Sequence, residues 1–226
     1  MKFVIGAAAI GLFLATPAFA QTETPAQCQF TAAPTLINGG ESTREAMTEA
    51  GDAINAWLTA RQQQQEPACQ QAIAAQQANL QAMEAAYNAA GAERTGVVQT
   101  WNAQLAAING GGRAPATQLP TPAPAAGAQC TFSPPPSLAV SGRAAATAKT
   151  QEVAAWDTQR QQQEQTCRTE IERVRGNLQT MAAAFNASNT ERQSIVQAWN
   201  AEVQEFGSRP APARRERGGV LTRPDD

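Results

Sequence analysis

The chain contains no histidine, and that absence removes much of the familiar chemistry of protein sites. The commonest general base, every Ser-His-Asp or Cys-His arrangement, and most zinc and copper sites need an imidazole. Large apolar side chains are also scarce. Leu, Ile, Val and Phe together supply 34 of 226 residues, and aromatics are 5%. That leaves too little bulk for the interlocking core of a large α/β enzyme. No Cys-x-x-Cys occurs, so a thioredoxin-like redox role has no basis. No glycine-rich phosphate loop occurs either, and Ala146 stands where a Ser-x-x-Lys motif ahead of Lys149 would need its serine. Carboxylates are plentiful, yet no motif gathers two across a cleft as glycoside hydrolysis requires. The expectation is a non-enzyme with no catalytic residue, no metal and no cofactor.

What is abundant is alanine, with 49 residues, and glutamine, with 26. Both are good helix formers, and alanine lets helices approach closely, so the fold class expected is all-α. The first twenty residues read as a secretory signal. Lys2 is the positive start, 3–15 the apolar stretch, and Ala18-Phe19-Ala20 a cleavage site before Gln21. No later run approaches 18 apolar residues, so no membrane span is expected. The address implied is periplasmic or secreted, where four cysteines suggest two disulfides. A net charge of −2 argues against nucleic acid as the main partner and leaves protein or cell-envelope polymer.

Residues 28–110 and 130–207 are two copies of one unit. Cys28-Gln29-Phe30-Thr31 answers Cys130-Thr131-Phe132-Ser133, and Trp57 answers Trp156. Arg61-Gln62-Gln63-Gln64 answers Arg160-Gln161-Gln162-Gln163, and Cys69 answers Cys167. Beyond the cysteine, Leu80, Met83, Glu93-Arg94 and Trp101-Asn102 match Leu178, Met181, Glu191-Arg192 and Trp199-Asn200 at a constant offset of 98. Between the copies, 111–129 is a Pro/Ala-rich linker, and 208–226 reads as a disordered, Arg-rich tail. Because each copy carries its own cysteine pair, the simplest pairing is Cys28–Cys69 with Cys130–Cys167. A bridge closing about 40 residues stabilises by roughly 4 kcal/mol in the chain-entropy model, comparable to the whole stability of a small domain.

From Cys69 the seam runs Cys69, Ile73, Gln76, Leu80, Met83, Tyr87, with steps of 4 and 3, and the second copy repeats it. A second seam follows at Val98, Trp101, Leu105 and Ile108. Gly91 lies between them, and the second copy offers Ser188-Asn189-Thr190-Glu191, a capping box. This predicts a helical hairpin turning near residues 90 and 188, pairing Met83 with Val98, Leu80 with Trp101 and Ile73 with Ile108. Two three-helix bundles are the alternative. Upstream, 43–65 is also helix. Pro67 and a Trp-to-Cys spacing one residue longer in the first copy leave open whether it runs on into the Cys69 helix. A distance argument favours continuity, since an extended 15-residue arm spans about 45 Å and 26 helical residues about 39 Å. Such an arm could run back along the helix from the cysteine.

Several features admit a binding role or a plain structural one. Glu93-Arg94 and Glu191-Arg192 could mark binding tips or simply sit in a helix's first turn. The Arg-Gln-Gln-Gln runs read as solvated helix face, and the four tryptophans as core anchors rather than sugar platforms. Asn186-Ala187-Ser188 fits a glycosylation sequon and also a turn. Arg214, Arg215 and Arg217 of the tail are the candidate interaction residues for anionic envelope material.

The opening of the unit, Pro34-x-x-Ile37-x-x-Gly40 with Met47 in a helix, resembles the start of small exported bacterial proteins of unassigned function. The resemblance covers about forty residues, keeps Gly142 but not the methionine in the second copy, and implies no activity or site. The role expected is a non-catalytic periplasmic interaction or scaffold protein, its two tethered modules suited to bivalent engagement. The alternatives are a holdase-type chaperone with exposed helix seams and, remotely, a carboxylate-based cell-wall hydrolase.

Overall fold

The computed structural model describes residues 26–111, 126, 130–140 and 142–210. The predicted signal segment 1–20, most of the linker and the tail arginines Arg214, Arg215 and Arg217 lie outside the described residues. Within them the protein is helical, with no strand. A short 3₁₀ turn, Ala26–Cys28, leads into an extended arm and then into helix α1, Arg44–Ala60. A single π-helical segment, Arg61–Gln65, joins α1 without a break to α2, Glu66–Asn109. The second copy is one helix, α3, Arg143–Gly207, preceded by an arm that begins at Cys130.

The hairpins expected at 90 and 188 do not form, and neither do three-helix bundles. Each copy is one unbroken rod. The 65 residues of α3 span about 97 Å at 1.5 Å per residue. The two rods lie against each other and run antiparallel: Glu66 meets Arg192, Glu84 meets Arg175, Glu93 meets Arg160, and the carbonyl of Asn109 meets Arg143. The partner number falls steadily as the first number rises. Met83 therefore packs with Ile171 and Val174 of the other copy, not with Val98 of its own.

Why the turn is absent shows in the buried positions. In α3 these run Val153, Trp156, Arg160, Glu164, Cys167, Ile171, Val174, Met181 and Ser188, an unbroken heptad seam. In α2 they run Met83, Ala86, Ala90, Glu93, Val97, Trp101 and Gln104. The apparent gap between the two apolar seams is bridged by alanines and a glutamate that face the partner rod. Gly91 sits inside the helix with open space where a Cβ would be, so it breaks nothing.

Continuity through Pro67 has an equally local cause. The first copy holds one residue more than the second between Trp and Cys, and an extra residue turns an α-helix by about 100°. The π segment takes up that residue as a widened turn, restoring the phase on both sides. It also ends two residues before Pro67, which has no N–H to return to the preceding turn.

The structure joins Cys28 to Cys69 and Cys130 to Cys167. Both bridges lie within a copy, and all four cysteines are buried. Each pins the far end of an arm that runs back along its own helix, the layout favoured by the reach argument. The first arm also touches the opposite rod. The Gly39 amide donates to Glu202 Oε2 at 2.6 Å, and Arg209 donates to the carbonyls of Ser42 and Gly39. A Cβ on Gly39 would lie 2.0 Å from the carbonyl oxygen of Glu202, so only glycine allows this approach.

Candidate functional site

The chemistry of this rod concentrates in two clusters, one built around Arg61 and one around Arg160. The sequence reads both arginines as the start of a solvated face. The structure corrects this: they are among the most deeply buried large side chains, at 0% and 1% exposure. Burying a guanidinium is costly unless its charge is met; each cluster is built from three directions, of which the arm bonds Arg61 directly but reaches Arg160 only through its tryptophan.

The first direction is aromatic. Arg61 lies over Trp57 at 4.5 Å and Phe30 at 5.3 Å, while Arg160 lies 5.2 Å from both Trp156 and Phe132. A desolvated cation over an aromatic face gains about 2 kcal/mol. Trp57 and Trp156 are thus core anchors, as their spacing suggests, and they also form the floor of an arginine slot, whereas Trp199 is only half-buried. The second direction is the arm. Thr31 O accepts from Trp57 Nε1 at 3.2 Å and from Arg61, and Ser133 O accepts from Trp156 Nε1 at 3.4 Å. Gln65 and Gln163, four and three residues beyond the arginines, hold the same arm residues, Thr31 and Ser133.

The third direction is the opposite copy. Arg61 Nη1 donates to Glu191 at 2.6 Å, and Arg160 pairs with Glu93. Outside these lies a second pair of matching bridges, Arg192–Glu66 at 3.1 Å and Arg94–Glu164 at 3.0 Å, with Arg94 also reaching Asp157 at 3.3 Å. Glu93-Arg94 and Glu191-Arg192 are therefore neither tips nor first-turn residues. They sit mid-helix and clamp one copy to the other.

The match between the clusters is incomplete. Arg61 Nη1 also donates to Ser188, at 3.1 Å to Oγ and 3.3 Å to the carbonyl. The position matching Ser188 is Ala90, which has no hydroxyl. Arg160 Nη1 accordingly has no hydrogen-bond partner, whereas Nε lacks one in both arginines. Desolvation lowers the Arg160 pKa from its ordinary value against the opposing pull of Glu93 and Glu164. For Arg94 burial pulls downward, but its bonds to Glu164 and Asp157 prevail and leave the guanidinium raised. Ser188 is buried in this contact, so the sequon that includes it is part of a helix and not a turn.

A second departure from matching lies beside the seam. A cleft of about 290 Å³ is lined by Glu84, Tyr87, Asn88, Arg168, Ile171, Glu172 and Arg175. Arg168 donates to Tyr87 Oη at 2.7 Å, and Arg175 pairs with Glu84 at 2.6 Å. The corresponding positions on the other side are Ala182, Phe185, Gln70, Ala74 and Gln77, so its charges and its phenol belong to one side alone. Among the described residues no group of three or more Cys, Asp and Glu side chains is placed to hold a metal, and no helix is long and apolar enough to cross a membrane. Comparison with protein-family models, with curated proteins and with solved structures gives no match.

Proposed function

We propose that this chain is a non-catalytic interaction or scaffold protein of an oxidising, extracytoplasmic compartment, acting as a stapled rod. The observation that carries this reading is how the two copies use their chemistry. Their apolar seams face one another and each buried arginine meets a glutamate of the other copy, which leaves a stiff body about 97 Å long with polar outer faces. Two disulfides suit an exported protein. Tethering that would raise the concentration of two modules for a repeated partner acts first between the copies themselves. The holdase alternative needs open apolar seams, and Val203 is the large apolar side chain left exposed among the described residues.

Photo-crosslinkers placed along the rod in intact producing cells test the reading, with Glu172 in the one-sided cleft and Asp52 near one end as stations. The expected result is one defined partner captured from particular stations. A broad spread of unfolded clients would favour the chaperone reading instead, and turnover of cell-wall fragments by the purified protein would overturn the proposal.

A further inference from the structure

The four clamps between the copies obey one rule, and the rule does not depend on which copy supplies which side. Arg61 and Arg160 occupy matching positions, as do Glu191 and Glu93 that receive them. The same holds for Arg192 and Arg94 against Glu66 and Glu164. At the clamps the two copies thus present matching faces related by a local two-fold, as in an isologous dimer interface. If one copy met the like copy of another chain, Arg61 would face Glu93 and Arg94 would face Glu66, so every charge of the four clamps would still meet its opposite. Two of the three apolar clusters correspond in the same way. Met83 with Cys167 and Ile171 mirrors Met181 with Cys69 and Ile73.

Both disulfides lie within copies, so among the described residues no covalent bond other than the chain itself holds the rods together. We propose that a second copy of this chain is a binding partner, taken up by exchange of repeats. The first rod of one chain clamps the second rod of the other, reciprocally. This rests on the pairing geometry and not on the scaffold reading. The tether favours the closed single chain until the protein concentration approaches the effective concentration it sets, on the order of mM, or until the closed form is made unfavourable.

The test uses full-length chains with reversed charges at the two outer, partly exposed clamps. One variant carries Glu66→Arg with Glu164→Arg, so that all four outer clamp positions are arginine. The other carries Arg94→Glu with Arg192→Glu, so that all four are glutamate. Alone, each opposes like charges across the pair; together, each rod finds its complement in the other chain. Co-refolding them with disulfides intact should yield a species of doubled mass holding one chain of each kind, by native mass spectrometry, and a higher melting temperature than either alone. A control chain with Glu66→Arg and Arg192→Glu together restores one internal pair and should stay monomeric and folded. If the control folds and the mixture shows no mixed dimer, the proposal fails. If the control does not fold, isotopically light and heavy wild-type chains refolded together at about 1 mM decide the matter. Mixed-mass dimers support exchange, and monomers alone overturn it.

Discussion

Removing the carboxylate that meets each buried arginine should have very different consequences in the two clusters, although the residues match. Glu93 and Arg160 are each 1% exposed, and Glu93 supplies the hydrogen bond Arg160 makes. Glu93→Ala leaves a buried guanidinium with its aromatic faces and the charge of Glu164 but no hydrogen-bonded carboxylate, and breaking a buried pair in this manner costs about 3–5 kcal/mol. Glu191 is 42% exposed, and without it Arg61 keeps Thr31 and both oxygens of Ser188. Glu191→Ala should therefore cost about 1 kcal/mol or less. Equilibrium urea unfolding with the disulfides intact measures both, read as a shift in midpoint at unchanged slope. Ala90→Ser should recover part of the Glu93→Ala loss, roughly 1 kcal/mol, by giving Arg160 Nη1 the hydroxyl that Arg61 already has. Equal costs for the two glutamates, or no recovery from the serine, would refute the account of how these charges are held.

Three further outcomes follow from the same geometry. Gly91→Ala should raise stability by about 0.5–1 kcal/mol, because Gly91 is helical with nothing near its missing Cβ; a loss in the same urea assay would point to a turn there. Gly39→Ala should free the first arm, seen as faster amide exchange over residues 38–43, since its Cβ would collide with the Glu202 carbonyl; unchanged exchange would contradict the packing described. Glu170 is held below the ordinary carboxylate range chiefly by its hydrogen bonds to Arg173. A depressed folded-state value means the contribution is present above the unfolded pKa and lost as pH falls through the folded one, with an effect under about 1 kcal/mol for so exposed a pair. An NMR titration should show the Glu170 midpoint rising on Arg173→Gln, and no rise would remove the assigned cause.

The helical class was legible because alanine and glutamine leave little else to build. The arms were legible because chain reach and helix rise agree. Large apolar residues alone suggest turns, because the middle of this seam is made of Ala86, Ala90 and Glu93. In an alanine-rich pair of helices, close approach replaces bulk, and a search for leucines sees a gap. The buried arginines were missed for a related reason, yet a signal was there. Arg160 lies four residues after Trp156 and seven before Cys167, in phase with the seam, and Arg61 likewise follows Trp57 by four. A cation in seam phase one turn after a tryptophan is a candidate for burial against it. Which rod pairs with which was not legible, because matching faces satisfy several pairings.

The distance between residues 78 and 103 separates the two architectures most directly. Both are exposed positions on α2. Spin labels carried there on non-cysteine side chains, so that the native bridges stay intact, should lie about 37 Å apart if α2 is one rod at 1.5 Å per residue. A distribution centred at about 10–15 Å, the separation of neighbouring helices with their labels, would mean that the chain folds back near residue 90, and the interlocked pair described here would be wrong.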